Sequence, residues 1–263
     1  MTNHQIRTMA ETSTILQCPV GSTIHGLHLP GTDDRDEMGI CVESMSASMG
    51  LKMPFEQYIY RTAAERESKH DAPSQPGDLD LTIYSLRKWL RLALQGNPTV
   101  LTPLFVRSDR CTVSTQIGRE LQQLAPRIIS KQAGRRYLGY MEAQRQRLMG
   151  ERGQKRVRRP ELEAAHGYDT KYAMHVMRLG IQGWELMTSG FISFPMSNSC
   201  GWRDYVMAVR KGEVPLQEVL TICGELERAI KDLLTTSALP DDPDIDYMES
   251  WMLNVYREAW ETI

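Results

Sequence analysis

No two cysteines in this 263-residue chain stand close enough to form a zinc ribbon or a thioredoxin-like redox motif. The five present, Cys18, Cys41, Cys111, Cys200 and Cys223, are scattered and odd in number. That pattern argues against a disulfide framework and fits a reduced, intracellular chain. The opening stretch MTNHQIRTMAETS lacks the apolar core of a signal peptide. No uninterrupted apolar run approaches the ~20 residues of a membrane helix. A cytoplasmic protein without membrane contact is therefore expected. Charge of one sign is also scarce: 31 Lys and Arg against 33 Asp and Glu leave a net charge of -2. Nothing in that balance marks a global nucleic-acid or membrane binder. There is no internal repeat and no low-complexity tract. At this length roughly three quarters of the unfolded surface is buried on folding, so core supply is not in question.

What is present is concentrated between Gly21 and Val42, GSTIHGLHLPGTDDRDEMGICV. A Gly-Ser pair is followed by a glycine-containing turn and then by Asp34 and Asp36, one residue apart at the entry to an apolar run. On a strand, residues two apart project from the same face, so both carboxylates can address one cation. Hard ions such as Mg2+ take oxygen ligands of this kind. Further on, DLDLTIY alternates, with Asp78, Asp80 and Thr82 on one face and Leu79, Leu81 and Ile83 on the other. If that strand lies beside the one entered at Asp36, Asp80 becomes a third carboxylate. Three carboxylates can hold two divalent ions and stabilise both oxygens of a phosphoryl displacement. Gly21, with no side chain, lets a phosphate approach backbone amides, and the Ser22 hydroxyl adds a donor.

Taken in order, the pattern predicts strands over 14–20, 36–43, 58–61 and 78–84, with a loop and at most one helical turn over 44–57. A helix capped by Ser85 follows, with Leu86, Trp89, Leu90 and Ala93 as its apolar stripe. The stretch 100–106 is compatible with helix or strand. Helical periodicity then dominates over 114–130, 131–149, 169–189, 215–235 and 245–261. The expected architecture is α/β (α+β), with a small mixed sheet in residues 1–110 and a helical domain over 111–263.

These residues resemble the DNA polymerase beta nucleotidyltransferase superfamily, and within it the RNA-repair-pathway DNA polymerase beta family. The matching pieces are GSTIHGLHLPGTDDRDEMGICV, DLDLTIYSLRKWLRLALQGNPTVLTPLFV, RRYLGYMEAQRQRL and YDTKYAMHVMRLGIQGWELMTSGFISFP. The resemblance implies that Gly21 and Ser22 hold a nucleoside triphosphate, and that Asp34, Asp36 and Asp80 are the catalytic, metal-binding carboxylates for Mg2+ or Mn2+. Asp80 is implied to sit closest to the attacking hydroxyl. The implied reaction moves a nucleoside monophosphate from an NTP to a hydroxyl on RNA or tRNA, protein or a small molecule, releasing pyrophosphate. A catalytically silent nucleotide- or RNA-binding module of the same fold is the alternative. His25 departs from the pattern, standing where relatives carry an aromatic residue.

In a helix over 169–189, Lys171, His175 and Arg178 fall at i, i+4 and i+7 and share one face. By itself that is an ordinary solvent-facing stripe; the resemblance includes this spacing and implies nucleotide-binding residues that neutralise triphosphate charge. Arg145, Arg147, Arg152, Lys155, Arg156, Arg158 and Arg159 form a basic run opposed only by Glu151. It reads as a solvated loop or as a contact for a polynucleotide backbone. Asp78 reads as a strand-entry residue, Asp33 as a turn residue, and Asp241–Asp246 as the cap of the last helix. The 15 methionines read as core filler. Trp251, Met252, Val255 and Trp260 can pack the final helix onto the body or onto a partner subunit. The acceptor, the preferred base and the oligomeric state are not written in these patterns.

Overall fold

The computed structural model describes residues 2–29, 31, 35–69, 72, 74–151 and 159–261. Asp33 and Asp34 lie outside the described residues, as do Arg152, Lys155, Arg156 and Arg158 of the basic run. By contact density the chain forms two compact units. One comprises Met1–Leu94, Thr99–Ile128 and Pro243–Ile263, and the other Gln95–Pro98 and Ile129–Asp242. These bounds differ from a single cut near residue 110: the chain from 111 to Ile128 and the C-terminal helix both belong to the first unit.

That first unit is built on the strands β1 (Thr14–Pro19), β2 (Arg35–Cys41), β3 (Gln57–Arg61), β4 (Leu79–Ser85) and β5 (Val113–Ser114). They form one mixed sheet in the order β3-β4-β2-β1-β5. Only β2 and β4 run parallel; the other three pairs are antiparallel. The alternation read along β4 is the one observed: Leu81 and Ile83 are buried, and Asp80 and Thr82 are half-buried. Leu81 and Ile83 join Ala10 and Cys41 in a core lined by Phe55, Tyr58, Tyr60 and Leu79. Burying each such aliphatic side chain stabilises the fold by ~1.5–3 kcal/mol. The sheet face carrying Asp80 is thereby fixed, because a one-residue slip would put Leu81 in its place.

The short β5 was not expected. Its residues Val113 and Ser114 pair with Gln17 and Leu16, and Thr115 then caps a helix over Gln116–Gln123. A second short helix, Ala125–Ile128, completes the stretch expected as one helix. The 100–106 stretch resolves as turns around a 3-10 helix at Thr102–Leu104. Ser85 caps as expected, its Oγ accepting Lys88 N–H at 3.2 Å, and buries Leu86, Trp89, Leu90 and Ala93 along Leu86–Leu94. Helices at Asn3–Thr12, Gly21–His25, Thr62–Glu67, Pro160–His166 and Trp202–Lys211 went unread, whereas Met45–Met49 is the single helical turn allowed over 44–57. The first had a legible signal, since Thr2 and Gln5 make a reciprocal capping box.

The final helix, Ile245–Glu261, is tied to the body at Glu43, a wholly buried carboxylate just past β2. The Tyr256 hydroxyl lies 2.9 Å from both Glu43 oxygens and accepts Arg87 N–H at 3.1 Å. Trp260 Nε1 donates to the Glu43 carbonyl at 3.0 Å. Burial pushes the Glu43 carboxyl up, against the hydrogen bond from Tyr256. Asp244 accepts the Tyr247 amide at 3.3 Å, so part of the acidic segment does cap this helix.

The second unit is helical: Lys131–Leu148, Pro160–His166, Thr170–Ser189, Trp202–Lys211 and Leu216–Thr236. Thr170–Ser189 is its axis, burying residues around most of its circumference. Met141, Met174, Met177 and Met187 fill this core as expected, whereas Met45, Met49 and Met53 of the first unit are exposed. Among the described residues no helix is long and apolar enough to cross a membrane.

Candidate active site

Asp36 and Asp80 are register partners across the parallel β2–β4 pair. Paired residues on adjacent parallel strands project from the same face with backbones ~4.8 Å apart. The sheet therefore sets the two carboxylates side by side. Gly21 closes against them. It follows Val20, whose amide donates to the Asp36 carbonyl at 2.8 Å, and its φ of 72° lies in the left-handed region. A Cβ at Gly21 would collide with the Asp36 carboxylate. Only glycine satisfies both the conformation and the space. Ser22 is half-buried beside it in the Gly21–His25 helix, which ends on His25, at 4 % exposure.

Asp80 has two unlike oxygens. Oδ2 accepts from Arg61 Nε at 3.2 Å and from Ser74 Oγ at 3.1 Å. Arg61 reaches it because β3 pairs with β4 in a register that sets Arg61 opposite Asp80. The same guanidinium donates to the Ala72 carbonyl at 3.1 Å and to Ser74 Oγ at 3.0 Å, ordering the loop that enters β4. Oδ1 is buried and has no hydrogen-bond partner among the described residues. A buried carboxylate oxygen left unsatisfied costs free energy unless a cation or donor meets it. Neither Arg61 nor Ser74 was identified from sequence, because strand register is set by turns and packing rather than by any local motif.

The neighbouring carboxylates are already engaged. Glu37 points to the opposite face, where Gln17, Arg35 and Thr112 donate to it at 2.6, 2.7 and 3.0 Å. Burial favours its protonation, but those three donors together hold its carboxyl below the ordinary value. Asp78 accepts from the Gln75 amide at 2.7 Å and from Arg66 at 2.7 and 2.9 Å, and both lower it further. This agrees with a structural strand-entry role for Asp78.

In the second unit the sign of charge reverses. Asp169 caps Thr170–Ser189, accepting from the amides of Lys171 and Tyr172. Arg159 pairs with Asp169 at 3.1 Å and lies over the Tyr172 ring at 5.3 Å. Arg210, from the Trp202–Lys211 helix, donates to Thr170 Oγ1 at 3.3 Å. With Lys171, His175 and Arg178 along the helix, five basic side chains surround its first turns. His175 is not a cation here: burial first, then repulsion from Arg178, Lys171, Arg159 and Arg210, hold its imidazole down to about 3. Arg178 is lowered by burial, and its NH1 donates to Gln182 Oε1 at 3.0 Å. Arg159 and Arg210 escaped notice in the sequence because one ends a basic run and the other sits on a different helix. Of the rest of that run, Arg145 meets Glu142 and Glu227.

The donor set suits a hard divalent ion: two in-register carboxylates, one presenting a buried oxygen without a partner. Among the described residues no group of three or more His, Cys, Asp and Glu side chains gathers at metal-binding distance. Asp34, the third expected ligand, lies outside them.

Among solved structures, the chain is similar to a nucleotidyltransferase-like protein from Exiguobacterium sibiricum at 10% identity, over 97% of this chain and 80% of that one, with a TM-score of 0.30. At that score the likeness carries no part of the account. No curated protein matches. A family model does: that of the RNA repair pathway DNA polymerase beta family matches residues 2–253, nearly the whole chain. The chain belongs to the RNA repair pathway DNA polymerase beta family.

Proposed function

We propose that the protein is a metal-dependent nucleotidyltransferase that moves a nucleoside monophosphate from an NTP to a hydroxyl acceptor. The observation that carries this reading is the in-register Asp36–Asp80 pair, with Gly21 pressed on one carboxylate and an unpartnered buried oxygen on the other. Asp36 and Asp80, with Asp34, would hold Mg2+ or Mn2+, which supplies positive charge to the phosphoryl oxygens. The Gly21 backbone and the Ser22 hydroxyl bind the triphosphate. Arg61 and Ser74 fix Asp80 through Oδ2 and leave Oδ1 for the ion or the acceptor. The acceptor oxygen bonds to the α-phosphorus, its proton passes to Asp80, and the bond to the bridging oxygen breaks to release pyrophosphate. Within the helical unit, Lys171, Arg178, Arg159 and Arg210 form a cluster suited to phosphate groups, to which neutral His175 adds an N–H donor. The acceptor is an RNA end or a protein hydroxyl in a cytoplasmic setting.

One observation favours a second reading. Arg61 already pairs with Asp80, and a permanently quenched carboxylate suits a silent nucleotide-binding module. Incubation with α-labelled NTPs, Mg2+ or Mn2+, and RNA and protein acceptors separates the two. The enzyme reading expects label on an acceptor, with Asp36→Ala or Asp80→Ala reducing it by more than about 100-fold, the range that outer-shell metal partners alone can reach. Transfer that survives both substitutions would sink it.

A further inference from the structure

We propose that Cys18 and Cys111 form a reversible disulfide, a two-electron oxidation site on the sheet face that carries Asp36. β5 pairs with β1 through Val113 and Gln17, so the chain entering β5 runs back past Cys18. Cys18 pairs with Met38 of β2, and alternation along β2 puts Met38 on the Asp36 face. Thr112, between Cys111 and β5, donates to Glu37 on the opposite face, so alternation turns Cys111 to the face of Cys18, and each thiol is the strongest influence on the other's ionisation. Cys111 Sγ also lies 3.4 Å from the Arg107 carbonyl and 3.9 Å from that of Val106, which anchors it at this edge.

The two sulfurs are prepared for different steps. Cys18 is wholly buried and Cys111 is partly open. The interaction between them, with burial, holds the Cys18 thiol up, and the same interaction brings Cys111 below an ordinary thiol. The thiolate is the attacking species, so Cys111 reacts first. The co-reactant is a hydroperoxide. The Cys111 thiolate attacks its terminal oxygen, the O–O bond breaks, and with one proton the products are a Cys111 sulfenic acid and an alcohol, or water from hydrogen peroxide. Cys18 sulfur then displaces the sulfenic hydroxyl, its proton leaving with that hydroxyl as water, and the S–S bond forms. Cys41 and Cys223 are buried and pushed up to about 12, chiefly by burial, so they do not compete. The bond would fasten the end of β1, just ahead of Gly21, to the segment leading into β5. The inference stands whether or not the chain transfers nucleotides.

Hydrogen peroxide treatment of the full chain, followed by alkylation, proteolysis without reductant and mass spectrometry, tests it. The expected product is a Cys18–Cys111 peptide pair two hydrogens lighter than the reduced peptides, reversed by dithiothreitol. In Cys18→Ala, Cys111 should advance to sulfinic acid several-fold faster than in the parent; thermal melts confirm that this variant is folded. Recovery of Cys111 as sulfinic acid beside an alkylated Cys18 in the parent overturns the proposal. So does a cross-link that runs through exposed Cys200 instead, or equal rates of Cys111 overoxidation in parent and variant.

Discussion

The two units handle charge in opposite ways. In the sheet unit nearly every inward carboxylate has its own dedicated donors: Glu37 has Gln17, Arg35 and Thr112, Asp78 has Arg66, Glu43 has Tyr256, and Asp80 has Arg61. What is left over, among the described residues of this unit, is one buried carboxylate oxygen, Oδ1 of Asp80. In the helical unit cations collect around a half-buried histidine, and the charged groups acting most strongly on it are all positive. The first arrangement is short of a cation, and the second is suited to an anion. Each unit can be tested for its own half of that statement.

The largest effect is expected at Gly21. Gly21→Ala combines left-handed strain of ~1–2 kcal/mol with a collision against Asp36. Thermal melts should fall by several degrees, and nucleotide transfer should drop by more than about 100-fold because Asp36 is displaced. Unchanged melting would mean that the turn is more yielding than its geometry implies.

Next comes pH. The folded His175 pKa is depressed to about 3 from the ordinary 6.5, so the unfolded chain binds this proton first as pH falls. The associated stability is fully present above about pH 6.5 and is lost progressively toward pH 3, on the order of a few kcal/mol. Urea titrations across that window, parent against His175→Gln, should show a steeper acid loss in the parent. Parallel curves would place His175 in a less hostile site.

A smaller change is expected from Arg210→Ala. Losing one charge-assisted hydrogen bond of ~1.5–3 kcal/mol should weaken inorganic triphosphate binding about tenfold or more. It should also raise the His175 pKa, visible in the imidazole NMR titration, because one repelling cation is gone. An unmoved titration would sever Arg210 from this cluster. Smallest is Tyr256→Phe, which removes the hydroxyl from Glu43 and the acceptor from Arg87 N–H. Chemical denaturation should register ~1–3 kcal/mol of lost stability, with triphosphate binding by the helical unit unchanged.

The sequence was most legible where chemistry and periodicity coincide. Asp80 between Leu79 and Leu81 announces both a strand and the face its carboxylate takes, and the long helices declare themselves by their apolar stripes. Legibility failed wherever meaning depends on register or on packing between distant segments. Arg61 looks like the end of a weak strand until β3 is paired with β4. Cys18 and Cys111 look unrelated until β5 folds back on β1. The Lys171, His175 and Arg178 spacing was visible, but the depressed imidazole was not. It requires burial plus Arg159 and Arg210, which arrive from other elements.

The most direct test of the central claim is calorimetric titration of the protein with an NTP, with and without Mg2+, in parent and Asp80→Ala. If the carboxylate pair holds the ion that accompanies the nucleotide, Mg2+ should tighten binding at least about tenfold in the parent and change little in Asp80→Ala, a coupling of ~1.4 kcal/mol or more. Equal affinity with and without Mg2+ in the parent, or an undiminished Mg2+ effect in Asp80→Ala, would contradict it.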